Sequence, residues 1–132
     1  MRHQVPSALR TWFLVHFVVD LLFALPLFLI PKQFLEFFGI LADPMLARVV
    51  GAALLAIGGA SLLAYKRDVE AYDVLLTLKI IWSVSAILGI AISLYKGAPK
   101  SGVLFLGLFA VFAGLWIYYK LILRYDVVLI KR

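Results

Sequence analysis

Four long apolar runs, each closed by charged or turn-forming residues, set the pattern of this chain and predict four membrane-spanning helices. They cover about residues 9–30, 45–65, 74–95 and 103–123. Each is roughly 21 or 22 residues long, which matches a hydrocarbon core of about 30 Å crossed with modest tilt. The expected fold class is all-α: an integral membrane four-helix bundle, forming one domain over residues 1–132.

The connecting stretches carry their own signals. Between the first two spans, Phe34, Phe37, Phe38 and Leu41 fall at i, i+3, i+4 and i+7, while Lys32, Gln33 and Glu36 take the other side. That spacing predicts a short interfacial helix over about 32–41, with an aromatic-rich loop as the alternative. Asp43-Pro44 offers an N-cap and a proline at the first helical position. Lys66 to Asp73 is a polar link, and Gly97 and Pro99 mark a tight turn over 96–101. Pro26 is expected to bend the first span, because proline removes a helical hydrogen bond. That span is too long for the apolar core of a signal peptide and lacks a small-x-small cleavage site, so it reads as a retained anchor.

Small residues recur at helical spacing inside the spans. Gly51, Ala52, Ala56, Gly58, Gly59 and Ala60 crowd the second; Ser85, Gly89 and Ser93 follow one edge of the third; Gly107, Ala110 and Gly114 follow the fourth. Such rows let two backbones approach closely where lipid supplies no hydrophobic drive. They are the candidate helix-packing positions.

Composition changes this picture only by excluding alternatives. Of 132 residues 65% are hydrophobic and 15% charged, far more apolar than an ordinary soluble domain. With no cysteine, disulfides, thiolate metal sites and cysteine nucleophiles are out. The net charge of +6 is spread in pairs at the ends of apolar runs, the arrangement of anchors to anionic headgroups, and not a patch for nucleic acid. Eight basic residues fall on the terminal side (Arg2, Arg10, Lys66, Arg67, Lys120, Arg124, Lys131, Arg132) against four on the other (Lys32, Arg48, Lys96, Lys100). That bias puts both termini in the cytoplasm. Tyr65, Tyr72, Tyr118, Tyr119 and Tyr125 are expected at the same interface.

The candidate chemistry is a polar cluster inside the spans: His16, Asp20, Lys79 and Ser83. His16 and Asp20 are i and i+4 on one helix face, and Asp20 lies about 16 Å along the first span, near mid-bilayer. Intramembrane acids mark ion or proton pathways by default. The competing reading is structural: Asp20 pairs with Lys79, or is protonated and bonded to Ser83 or Ser85 while Lys79 snorkels to the interface. A closed metal site needs about four ligands, and only His3, near the terminus, adds to His16 and Asp20; no metal and no cofactor is expected. Arg48 reads as a headgroup anchor or an anion site. No phosphate loop, nucleophile constellation or nucleic-acid motif is present.

The run PKQFLEFFGI and then DPMLARVVGAALLAIGGASLLA resembles small DoxX-like and related four-span prokaryotic membrane proteins, in which an aromatic connecting segment precedes an Arg-x-x-Gly-Ala helix, here Arg48 to Ala52. The likeness covers the first half of the chain and implies a four-span fold in a prokaryotic plasma membrane. Size and a mid-span acid are also similar to the small multidrug resistance transporters. The histidine one turn before the acid, the third-span lysine and the strong orientation bias depart from them. The first functional expectation is a non-enzymatic membrane subunit whose packed faces recruit copies of itself or a partner membrane protein. The alternative is a proton-coupled transporter of a small cation or solute built on His16, Asp20 and Lys79.

Overall fold

The computed structural model describes residues 4–130, with side chains described to residue 124. Arg2, His3, Lys131, Arg132 and the side chain of Tyr125 lie outside the described residues. Among the described residues the chain is all-helical: α1 (Ser7–Leu29), α2 (Pro31–Phe37), α3 (Pro44–Leu63), α4 (Val69–Tyr95) and α5 (Gly102–Ile130). Four of them, α1, α3, α4 and α5, are long and apolar enough to cross a membrane.

The helix ends follow from local chemistry. Pro26 sits inside α1, and the Ile30 N–H still donates to its carbonyl at 2.8 Å. The break comes at Ile30, with φ −132°, because the residue before Pro31 is pushed out of the helical region. Two glycines end helices through the left-handed region. Gly39 (φ 70°) follows α2 and Gly97 (φ 92°) follows α4. In each, the glycine N–H and the next N–H close back onto the last helical turn: Gly39 to Glu36 and Ile40 to Leu35, Gly97 to Leu94 and Ala98 to Ser93, all at 2.9–3.1 Å. This double bond to the helix end satisfies carbonyls that would otherwise be orphaned, and only glycine takes that φ at no steric cost. Asp43 caps α3, accepting from the N–H groups of Met45 (2.7 Å) and Leu46 (3.3 Å), with Pro44 at the first helical position. Asp68 caps α4 through the Ala71 N–H at 3.1 Å. That cap starts α4 at Val69, five residues ahead of the apolar run that announces it, so the polar turn Glu70 to Asp73 is helical.

The chain forms two compact units. One is Thr11–Tyr65, holding most of α1, α2 and α3. Here α1 buries Phe13, His16, Asp20, Ala24 and Leu27, and α3 buries Ala47, Gly51, Leu54, Gly58 and Ser61, both at steps of three or four residues. The two helices run antiparallel and very close. A methyl built on Gly51 would lie 3.1 Å from the Ala24 carbonyl oxygen and 3.2 Å from Leu27 Cβ; one on Gly58 would lie 2.8 Å from Asp20 Cβ. Arg48 Nε donates to the Phe28 carbonyl at 3.2 Å, satisfying one of the last carbonyls of α1. Phe34 of α2 packs edge-on against Phe23 and Phe38, at 6.1 and 5.3 Å between centroids. Phe37 and Leu41 are exposed, so the aromatic stripe of the connector divides between packing on α1 and facing outward.

The other unit comprises the first turn of α1 together with α4 and α5. Its core is Leu9, Tyr72, Leu76, Phe112, Trp116, Tyr119 and Leu123, with Phe112 stacked on Trp116 at 5.6 Å. Arg10 donates to the Arg67 carbonyl at 3.2 Å and its guanidinium lies 5.4 Å from the Tyr72 ring centroid. The start of α1 and the link before α4 are thereby joined at one end of this unit.

Candidate functional site

The buried acidic, basic and histidine side chains of the spans, with the partners they reach, fall into three groups. In α1, His16 and Asp20 are both buried, at 5% and 6% exposure, one helical turn apart. Nδ1 of His16 is 2.9 Å from Oδ2 of Asp20. The approach is close enough for an ion pair but not aligned for an imidazole N–H to donate, so Oδ2 is a buried oxygen with no directed hydrogen bond among the described residues. Proximity sets the electrostatics here, and alignment sets how well the charge is satisfied; the pair has the first without the second. On the α3 side, Gly58 sets the wall: a methyl there would come 3.1 Å from Oδ2. The one polar side chain on the buried face of α3, Ser61, spends its hydroxyl on the Ile57 carbonyl at 3.0 Å.

In α4, Lys79 is 1% exposed and its Nζ lies 5.0 Å from the Trp116 ring centroid. Stacking of an ammonium on an indole face is favourable by about 2 kcal/mol when desolvated. Ser83, one turn further, is equally buried, whereas Ser85 is exposed. His16 and Asp20 thus belong to the first unit, and Lys79 and Ser83 to the second.

The third group was not legible from the sequence, which places Lys120 as an interfacial anchor and Asp73 in a linker. Lys120 of α5 is buried and donates to the Asp73 carbonyl (2.9 Å), the Asp73 carboxylate and the Thr77 hydroxyl (2.8 Å). The Thr77 hydroxyl in turn donates to the Asp73 carbonyl at 3.0 Å. All three ammonium protons are matched, and α4 and α5 are clasped near the start of one and the later part of the other. The available signal was Asp73 and Thr77 at i and i+4 on one face of α4. Tyr72, expected among the interfacial tyrosines, is fully buried, as is Trp116.

The small residues separate by face. Gly51 and Gly58 sit in the α1–α3 contact. Ala52 and Ala56 are exposed and Ala60 is half-buried. A methyl on Gly59, Gly89, Gly107 or Gly114 would meet nothing within 4 Å, and the last three are exposed. An open groove of about 310 Å³ lies where α2 leads into α3, lined by Lys32, Leu35, Glu36, Ile40, Leu41, Ala42 and Pro44. Lys32 and Glu36 are solvent-exposed and 4.0 Å apart, so the groove presents no buried polar group to a ligand. Among the described residues, no three of His, Asp and Glu converge as metal ligands.

Comparison of the chain with family models, curated proteins and solved structures finds no match.

Proposed function

We propose that this chain is a small multi-pass membrane protein in which the His16–Asp20 pair is the functional centre of a proton-coupled carrier for a small cation or solute. One observation carries the reading: a carboxylate oxygen in the middle of an apolar helix, buried, beside an imidazole and without a directed hydrogen bond. An ionised carboxylate at mid-span costs roughly 2.5–3.5 kcal/mol on insertion scales. A position serving packing alone would be better filled by an apolar residue of that size. Lys120 illustrates the structural use of a buried charge in this chain, with every donor matched; Asp20 is not held that way.

A second reading has its own support. Only 17–33% of each apolar window is buried, and the outward faces carry Gly89, Gly107 and Gly114, each with open space above it. A lipid-facing surface gains nothing from glycine, whereas another helix can seat on it. This favours a membrane subunit that packs against copies of itself or a partner, and it is compatible with carriage by an oligomer. The bias of basic residues supports cytoplasmic termini, and the resemblance to DoxX-like proteins supports a prokaryotic plasma membrane.

The test is proton flux. Purified protein reconstituted in liposomes with an internal pH dye, driven by a potassium diffusion potential or by gradients of small cations and amines, is expected to move protons above protein-free vesicles. Asp20→Asn is expected to abolish that flux. Flux in Asp20→Asn equal to the parent, or none in the parent under any gradient, would overturn the carrier reading.

A further inference from the structure

The carrier reading leaves open what keeps the Asp20 carboxylate beside the His16 imidazole. We infer that Gly58 does: it is a positioning residue of the site, and the bare backbone of α3 at this point is the wall along which the carboxylate lies. The functional side of this inference rests on His16 and Asp20 being the centre of the carrier.

Three observations carry it. First, the space beside Gly58 is taken by Asp20. The three heavy atoms nearest to a methyl built on Gly58 are Asp20 Cβ at 2.8 Å, Oδ2 at 3.1 Å and Cγ at 3.5 Å. The carboxylate therefore runs along the α3 backbone, and the same Oδ2 stands 2.9 Å from Nδ1 of His16. Second, Gly51, about two helical turns earlier on the same buried face, is used differently. A methyl there would meet the Ala24 carbonyl oxygen at 3.1 Å, Leu27 Cβ at 3.2 Å and the Phe28 nitrogen at 3.4 Å. That is an approach of backbone to backbone, the way membrane helices pack in general. At Gly58 the opposing residue is not small, and the glycine makes room for the side chain that carries the chemistry. Third, a methyl on the adjacent Gly59 would meet nothing within 4 Å, so the demand for glycine is confined to the position facing Asp20. Glycine inside a helix is less favourable than alanine, and at position 58 the room given to Asp20 offsets that loss.

Turning the carboxylate cannot by itself make space for a methyl at position 58, because the shortest contact is to Asp20 Cβ, which is fixed to the α1 backbone. Either α3 backs away and the carboxylate loses its wall, or the carboxylate swings off the imidazole as the helices shift. Both alter the His16–Asp20 geometry. Overpacking at Gly51 strains the same pair of helices without touching it.

Gly51→Ala is therefore the control for Gly58→Ala, and three readouts are taken on the full chain in liposomes: proton flux, the ¹⁵N resonances of the His16 imidazole, assigned by their loss in His16→Gln, and the unfolding temperature. Both variants are expected to unfold earlier than the parent. Only Gly58→Ala is expected to displace the His16 resonances and to lower flux by at least about tenfold, since a misplacement of about 1 Å costs a positioned group up to about 100-fold. Added to Asp20→Gly, Gly58→Ala is expected to raise the unfolding temperature, because the methyl enters vacated space and alanine favours the helix; Gly51→Ala should lower it in either background. This pair also decides the matter if Gly58→Ala alone fails to fold. His16 resonances unmoved in Gly58→Ala, or moved equally in Gly51→Ala, would overturn the positioning role, as would Gly58→Ala lowering the unfolding temperature of Asp20→Gly as much as that of the parent. A parent without flux whose resonances and unfolding follow the expected pattern removes the carrier and leaves Gly58 positioning Asp20. Flux that needs Asp20, with either of the other readouts contrary, leaves the carrier and removes the role of Gly58.

Discussion

Removing the two partners of the α4–α5 clasp should have unequal costs, and the inequality follows from where each charge is left. The Lys120 side chain is 10% exposed and that of Asp73 is 46% exposed. Asp73→Ala leaves a buried ammonium with the Asp73 carbonyl and the Thr77 hydroxyl as its remaining acceptors. Breaking a fully buried pair costs about 3–5 kcal/mol and an exposed one about 0–1. A buried cation that keeps two of three neutral or charged partners falls between, at about 2–3 kcal/mol. Lys120→Met instead leaves a carboxylate that is half in solvent, and the methionine refills most of the apolar stem volume, so about 1 kcal/mol is lost. Thr77→Val removes one neutral acceptor and costs about 1 kcal/mol. The assay is equilibrium unfolding in mixed micelles of a mild detergent and dodecyl sulfate, followed by circular dichroism. A cost for Lys120→Met equal to or above that for Asp73→Ala would refute the reasoning, because it would mean that the carboxylate, not the ammonium, is the charge that needs its partner.

Three further outcomes follow from the same geometry. Gly58→Ala and Gly51→Ala should each destabilise by about 1–3 kcal/mol, as overpacking does, while Gly89→Ala and Gly114→Ala should be neutral or stabilising by up to about 1 kcal/mol on propensity alone; thermal unfolding of the four variants checks both halves. If oligomer contacts use the outward glycines, cross-linking of copies should fall in Gly107→Leu and Gly114→Leu while circular dichroism stays unchanged. Asp43→Ala, losing the two N–H acceptor contacts at the start of α3, should cost about 1 kcal/mol, visible as faster amide exchange at Met45 and Leu46.

The sequence made the four spans legible because a run of about twenty apolar residues is a one-dimensional signal that length alone reports. The Asp43-Pro44 cap was legible for the same reason, being local. Which face of a span is buried was not. In α3 the row Ala52, Ala56, Ala60 and the row Ala47, Gly51, Leu54, Gly58, Ser61 are both rich in small residues and free of charge, and only the second is buried as a whole. In water the polar face would betray the difference, but in a membrane span both faces are apolar and periodicity loses its contrast. His16 and Asp20 could be placed on one face by spacing; that Oδ2 would lack an aligned donor required coordinates. The Lys120 clasp depended on α5 lying along α4, a tertiary fact, and on the Asp68 cap bringing Asp73 into the helix.

On the proposed reading, Asp20 is there for what it binds and not for what it holds together. Flux and unfolding measured side by side on the parent, Asp20→Asn and Asp20→Glu test it most directly. Asparagine keeps the shape against Gly58 and removes the exchangeable carboxyl, so the account predicts stability within about 1 kcal/mol of the parent, proton flux lost in Asp20→Asn, and flux partly retained in Asp20→Glu. A parent that moves no protons, together with an Asp20→Asn variant destabilised by about 3 kcal/mol or more, would contradict it and make the His16–Asp20 pair a packing element.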